Sequence, residues 1–427
     1  MTVHGVLEGF YGEPYSDDAR LALIAWLPTA GGRDYVYAPK DDPFQRARWR
    51  EPYPPDRMAH FAELLAAGER HGVRVGFVVS PGLDWVTGDE AALVAKLRAF
   101  HDLGARLLGV AFDDVPPGGE DLGRVHGEAV AATVAGLPAD VEWATCPVDY
   151  GTDRVTSYLR GFVGSLPDDV DVYWTGPGIL SADVPTALAE DLSRELGRRL
   201  LLADNFPVSD GPMAGLLHLG PYPQRPADLP AALGGLLLNL GPRPVASRLP
   251  AAAALRWWAD PSQDRAALWE AELAAVPGLA PLARACRSWL TDPGPDPELL
   301  DWALAALDGD DRFEAFLAAG CREGLPAEWL ADLEPWLETW DWHAMAVPVL
   351  LQAVREAGPH AAFTVAEVWR RGLAQERQLF GTRFALYPLT RREGDAEVVD
   401  PAGLVRGDTI LDAMCREALA RLTGARP

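Results

Sequence analysis

The sequence predicts an α/β protein: a (β/α)8 TIM-type barrel over residues 1–258, an α-helical domain over 259–358, and a small mixed or helical C-terminal extension over 359–427. Three observations predict it. From residue 4 to about 258, short apolar strands alternate with amphipathic segments, each pair taking roughly 30 residues, as repeated βα units do. No Gly-rich phosphate fingerprint follows the first strand, which favours closure into a barrel over an open doubly wound sheet. Beyond Trp257-Trp258-Ala259-Asp260-Pro261 the strands stop and helical periodicity continues alone.

Taken in order, the strands read as 4–11, 34–40, 74–81, 107–114, 141–149, 170–175, 199–206 and 235–240. Between them, Asp56 to His71, Asp89 to Leu103 and Pro185 to Leu196 carry apolar residues at helical spacing, and Pro116-Pro117-Gly118-Gly119 marks a loop. The stretch from Gly211 to Pro230 is rich in proline and glycine, so the seventh helix is expected to be missing or deformed. Trp329, Leu333, Trp336 and Trp340 recur every three to four residues, a buried helical stripe. Ten of the fifteen tryptophans lie beyond residue 250, and that spacing assigns them to core rather than to a sugar platform. The segment from Ala251 to Ala254 reads as the start of an alanine-rich helix surface. Arg392-Glu393-Gly394-Asp395 reads as the tip of a polar hairpin, and Asp408 to Leu422 as a final helix.

Charge and cysteine content narrow the function. Sixty-two acids against 38 bases give a net charge of −24, which repels phosphate backbones and anionic membrane surfaces. Nucleic-acid and membrane partners are therefore not expected, and no apolar run reaches bilayer length. Cys146, Cys286, Cys321 and Cys415 are widely spaced, without a CxxC pair, and no export signal is read after Met1; a cytoplasmic protein is the expectation.

In a parallel barrel the active site gathers at the C-terminal ends of the strands. Those ends here carry Glu8-Gly9-Phe10-Tyr11-Gly12, Ala38-Pro39-Lys40-Asp41-Asp42, Phe112-Asp113-Asp114, Asp149-Tyr150, Trp174-Thr175-Gly176-Pro177, Asp204-Asn205 with Asp210, and Asn239. Each alone has a plain structural reading: an acidic turn, a surface lysine, a turn asparagine, a packing tyrosine. Their concentration at one rim outweighs those readings. Adjacent aspartates on a regular strand point to opposite faces, so both can serve one site only where the chain bends, and Val115-Pro116-Pro117 supplies the bend. Two close carboxylates resist joint ionisation, so one is expected to rise and the pair to offer an acid beside an anion. Sugar hydrolysis uses that division of labour.

Gly5-Val6-Leu7-Glu8-Gly9-Phe10-Tyr11-Gly12, Tyr37-Ala38-Pro39-Lys40-Asp41-Asp42, Phe112-Asp113-Asp114, Trp174-Thr175-Gly176-Pro177 and Asp204-Asn205-Phe206-Pro207-Val208-Ser209-Asp210 together resemble glycoside hydrolase family 84, which contains the O-GlcNAcases and some enzymes called hyaluronidases. The resemblance implies a retaining exo-β-N-acetylglucosaminidase acting on glycans or glycoproteins with terminal β-linked GlcNAc. Asp113 would polarise the substrate's acetamido group, whose oxygen closes an oxazoline, and Asp114 would be the general acid and then the base. Gly9, Lys40, Asn205, Asp210 and Asn239 would bind sugar hydroxyls, Phe10 and Tyr11 would line the same site, and Tyr150 and Thr175 would shape the acetamido pocket or support the aspartates. No metal and no cofactor is implied. Where the family often carries a large aromatic two residues before the asparagine, this chain has Ala203, which implies a wider acetamido pocket.

Three other readings compete. A metal-dependent amidohydrolase needs clustered histidines, and the eight present form neither HxH nor HExxH. A non-catalytic GlcNAc-binding module has no need of both Asp113 and Asp114. Hyaluronidase-like endo-activity requires a polyanionic chain to approach a strongly acidic protein.

Overall fold

The structure, a computed structural model, describes residues 3–289, 292, 294–383, 390–393, 396–399 and 408–424. Its chain forms two compact units, one of Met1–Gly211, Tyr222–Pro244 and Ala251–Arg265, the other of Pro212–Pro221, Val245–Pro250 and Ala266–Pro427.

The first unit is a closed barrel of eight parallel strands in sequence order: β1 (Val3–Glu8), β2 (Asp34–Tyr37), β3 (Arg74–Val79), β4 (Leu107–Ala111), β5 (Glu142–Cys146), β6 (Val170–Trp174), β7 (Leu200–Asp204) and β8 (Gly235–Asn239). Closure is the pairing of β1 with β8, where Val3 to Leu7 face Gly235 to Asn239. Gly5 permits the close approach of β1 to β2, because a Cβ there would stand 1.8 Å from the Asp34 carbonyl oxygen. Val36, Ala38, Val78, Ala111, Ala144, Cys146, Tyr173, Leu201, Ala203 and Leu237 join in one buried cluster, and Leu7 and Tyr150 pack against it. Such filling makes the barrel a packed core rather than a pore.

Every strand ends earlier than its apolar run suggests. The run 107–114 stops as ladder at Ala111 and the run 4–11 at Glu8, so the polar rim residues sit on the turns that follow. The connection after β7 holds only the 3-10 turn Gly211–Met213 and the four-residue helix Leu229–Ala232. Residues 212–221 are committed elsewhere: the Leu219 N–H donates to the Cys286 carbonyl at 2.8 Å and the Trp269 indole to the Leu219 carbonyl at 2.7 Å, all within the second unit. The alanines 251–254 are buried in the helix Arg248–Ala259 rather than lying on its surface, which corrects that expectation.

The second unit is helical. The helix Ala327–Glu356 buries Trp329, Leu333, Trp336 and Trp340, the stripe read from their spacing. The helices Ala361–Leu373 and Ile410–Thr423 belong to this same unit, so residues 359–427 do not separate as a third body. The final helix opens on a capping box between Thr409 and Asp412. A two-stranded antiparallel ladder pairs Thr390–Glu393 with Ala396–Val399, and the tip Gly394-Asp395 lies outside the described residues. Among the described residues no helix is long and apolar enough to cross a membrane.

Candidate active site

The site stands at the C-terminal ends of the strands, built on turns held by buried polar anchors. Glu8 closes β1 and is fully buried; it accepts from Arg20 Nη2 at 2.8 Å and Nε at 3.0 Å, from the Tyr15 N–H at 3.1 Å and from the Tyr35 hydroxyl. That anchor fixes the start of the turn Gly9 to Gly12. Asp42 does the same after β2, taking the hydroxyls of Tyr37 at 2.5 Å and Tyr53 at 2.8 Å. Asp204 ends β7 in a buried pair with Arg225 and accepts the Tyr222 hydroxyl at 2.7 Å. Asp149 accepts from Thr156, the N-cap of the helix Ser157–Gly164.

On these anchors sit the groups that face one another. Lys40 pairs with Asp113 Oδ2 and lies 3.4 Å from Ser80 Oγ, which is itself 3.5 Å from Asp113 Oδ1. Tyr11 and Tyr150 each donate to Asp114, to Oδ2 and Oδ1, at 2.7 Å. The chain turns at Asp114, whose φ of +55° is left-handed backbone, uncommon for a non-glycine residue though more accessible to aspartate than to most. That turn brings two sequential carboxylates to one side, as the bend at Val115-Pro116-Pro117 led us to expect.

Across the site, Asp210 accepts the Tyr11 N–H at 2.7 Å, and Asn239 accepts the Gly9 N–H at 3.1 Å while donating to Asn205 Oδ1 at 2.9 Å. Thr175 donates to the Gly178 carbonyl at 2.8 Å, and its N–H holds the Tyr150 carbonyl at 2.9 Å. Thr175 therefore secures the turn that carries Tyr150. Phe10 is the exception among the expected site residues: its ring is fully buried against Tyr15, 4.9 Å between centroids, and only its carbonyl joins the site's frame, accepting the Lys40 N–H at 3.1 Å. Ala203 faces the barrel interior in the cluster with Cys146 and Tyr173.

The electrostatics differ from the simplest expectation for two carboxylates. Crowding by protein groups pushes the Asp114 carboxyl up, but the Tyr150 hydroxyl, Lys40, the Tyr11 hydroxyl and Arg46 outweigh it, so the net direction is down. With these partners the Asp114 carboxyl is held low rather than raised. The raised carboxyl is Asp210, pushed up by burial and by the charge of Asp114 against the pull of the Tyr11 N–H. Burial and the adjoining Asp114 anion also raise the Tyr11 and Tyr150 hydroxyls, which keeps both as donors. Among the described residues no three His, Cys, Asp or Glu side chains are grouped to hold a metal ion.

Ser80, Gln45 and Arg46 were not singled out from the sequence. Ser80 follows β3 directly, and the strand-end rule applied there would have found it. Gln45 and Arg46 lie within Gln45-Arg46-Ala47-Arg48-Trp49-Arg50, a basic run that reads as a solvated turn.

A closed eight-stranded barrel that presents one cation-paired carboxylate beside a second at its strand ends has the frame of a glycoside hydrolase. The chain belongs to the β-N-acetylglucosaminidase family, glycoside hydrolase family 84, whose model matches residues 4–288. Protein O-GlcNAcase of Rattus norvegicus is 29% identical over 252 residues, 55% of this chain and 27% of that protein, and that of Mus musculus matches equally. The chain thus spans about a quarter of the length of these curated relatives. Among solved structures, a mutant of the Thermobaculum terrenum O-GlcNAc hydrolase superposes with a TM-score of 0.80 at 23% identity, covering 98% of this chain and 94% of that one. CpGH84B superposes at 0.77 with 21% identity, covering 97% and 76%. These two likenesses concern the fold.

Proposed function

We propose that the protein is a retaining exo-β-N-acetylglucosaminidase that releases terminal β-linked GlcNAc through an oxazoline formed by the substrate's own acetamido group. The observation that carries this reading is the unequal surroundings of the two aspartates. Asp113 is gripped by Lys40, as suits a group that accepts the acetamido N–H and leaves the carbonyl oxygen free to attack the anomeric carbon. Asp114 meets two hydroxyl donors and stands open at the mouth, as suits a group that gives a proton to the leaving oxygen and takes one back from water. The protein groups alone hold it low; a sugar ring packed over it adds the desolvation that moves a carboxyl towards its protonated form.

Asn205, Asn239, Asp210 and Lys40 offer convergent donors and acceptors to a neutral, hydroxyl-rich ring, consistent with a glycan or O-GlcNAc-modified protein as substrate. Four buried cysteines without disulfide partners favour a cytoplasmic setting. Purified protein is expected to cleave aryl β-N-acetylglucosaminides, to release the β-anomer first by proton NMR, and to keep its rate in EDTA, since protein side chains and the substrate amide fill every role. Initial release of the α-anomer, or loss of activity on chelation with recovery on zinc, would sink the mechanism.

A further inference from the structure

The loop after β2 carries a second cation that has no part in the chemistry proposed so far. Arg46 is buried, its side chain 8% exposed, and its guanidinium reaches three parts of the site at once. Nη2 donates to the backbone carbonyl of Asp114 at 3.4 Å. Nη1 stands 3.9 Å from Asp113 Oδ1 and has no hydrogen-bond partner among the described residues. The guanidinium carbon lies over the Tyr11 ring, 5.7 Å from its centroid, and Tyr11 is one of the two donors to Asp114.

We propose that Arg46 is a positioning residue for the carboxylate pair, holding the left-handed turn at Asp114 and serving as a second cation for Asp113. The inference rests on the glycosidase reading for its chemistry, not for its geometry. A left-handed backbone is costly for a residue with a side chain, and Arg46 is the side chain bonded to the carbonyl of Asp114. A buried guanidinium nitrogen without an acceptor is itself costly, and the acceptor it points to is Asp113. When Asp113 turns to meet a substrate N–H, it can exchange part of the Lys40 contact for the free Arg46 proton without losing a counter-charge. The loop that carries Arg46 is fixed at both ends: Asp42 is tied by Tyr37 and Tyr53, and the Ser80 N–H donates to the Gln45 carbonyl at 2.9 Å.

Asp114 is faced by Tyr11 and Tyr150, by Lys40 and Arg46, by the carboxyls of Asp113 and Asp210, and by the neutral Cys146 thiol, which burial pushes up. Replacing Arg46 removes one cation and leaves the other side chains chemically intact. The test is R46M, R46K and R46A in the full chain, first checked for native circular dichroism and urea midpoint. In R46M, kcat on an aryl β-N-acetylglucosaminide should fall about tenfold or more with KM within about twofold, the split expected when only transition-state geometry is lost. The Asp114 carboxyl, followed by ¹³C NMR and assigned with D114N, should titrate at higher pH than in the wild type. R46K should recover the titration but only part of kcat, and free guanidine should accelerate R46A. A folded R46M with wild-type kcat and an unmoved Asp114 titration makes Arg46 packing alone and overturns the proposal. A rise in KM at constant kcat makes it a substrate ligand, which overturns it equally. Should the wild type itself cleave no β-N-acetylglucosaminide, the functional reading fails, while the carboxyl titration still decides the role of Arg46.

Discussion

Asp113 and Asp114 are neighbours in sequence with opposite partners, one a lysine ammonium, the other two tyrosine hydroxyls. Substitution should therefore separate them. Asp114→Asn is expected to slow substrates with poor leaving groups by about 10²–10⁴ and activated aryl glycosides far less, because a departing phenolate of low basicity hardly needs the proton. Asp113→Asn should lose a comparable factor on both, since ring closure of the acetamido group needs the anion in every case. Azide, which attacks the intermediate without help from a base, should rescue Asp114→Asn and leave Asp113→Asn slow. Rates across a leaving-group series at several pH values check this: the reverse pattern exchanges the roles, and equal insensitivity removes the pair from the chemistry. That these residues were legible at all follows from one rule, that a parallel barrel works at its strand ends. The rule cannot say which polar residue at a strand end turns inward to the site and which turns back to hold the turn. Glu8, Asp42, Asp149 and Asp204 proved to be anchors, and Phe10 a wall residue, because partners distant in sequence decide side-chain direction. Arg46 was illegible for the same reason: of the arginines in its run, the fold turns it to the carboxylates, while Arg48 pairs with Glu51 and Arg50 with Asp84 and Asp89 at the surface.

The barrel strands were each recognisable as apolar runs, but their ends were not. An apolar run continues past the last ladder bond wherever the next residue also packs, as Phe112 does against His126 with ring centroids 3.9 Å apart. The weak seventh connection was visible because proline and glycine oppose helix regardless of context. The end of β1 rests on one buried carboxylate, Glu8, and its partners. Glu8 and Arg20 are both buried, and removing the Glu8 charge leaves Arg20 only the part-exposed Asp17, 3.0 Å from its Nη1. Glu8→Gln should cost about 3–5 kcal/mol of stability, and the paired change Glu8→Leu with Arg20→Leu clearly less, because it removes both charges. Urea denaturation followed by tryptophan fluorescence measures both. A loss under about 1 kcal/mol for Glu8→Gln would mean that water reaches Arg20 and that the pair is not what holds the Gly9 to Gly12 turn.

Across the whole molecule, the pH dependence of stability should be set between neutrality and pH 4 by histidines rather than by the site. Burial lowers the imidazoles of His126, His218 and His343 to about 4 each, in the last two against the opposing pull of backbone hydrogen bonds. His126 lies in the barrel unit, stacked on Phe112 and bonded to the Tyr158 hydroxyl at 2.9 Å; His218 and His343 lie in the helical unit, bonded to the carbonyls of Ser288 at 2.9 Å and Thr339 at 2.8 Å. A histidine in the unfolded chain takes up its proton near pH 6.5, so between about 6.5 and 4 the unfolded state binds more protons than the native one. Stability is then fully present above 6.5, falls as the pH drops through this window, and levels off below about 4. A fall from about 6.5 to about 4 corresponds to roughly 3 kcal/mol per histidine at the acidic end. Asp114, Asp296 and Asp412 act in the same direction at lower pH: their carboxyls are held low, so their contribution is lost only as the pH falls below the ordinary carboxylate range. Thermal unfolding at pH 7, 6 and 5 should therefore show a steady fall in both units, resolved as two transitions if they unfold separately. His343→Gln, which can still donate to the Thr339 carbonyl, should flatten the slope of the helical unit's transition by about one proton's worth and leave the barrel's slope unchanged. A wild-type stability that does not change from pH 7 to 5 would mean that these imidazoles gain their protons inside the fold, and the burial that defines them here would have to open in solution.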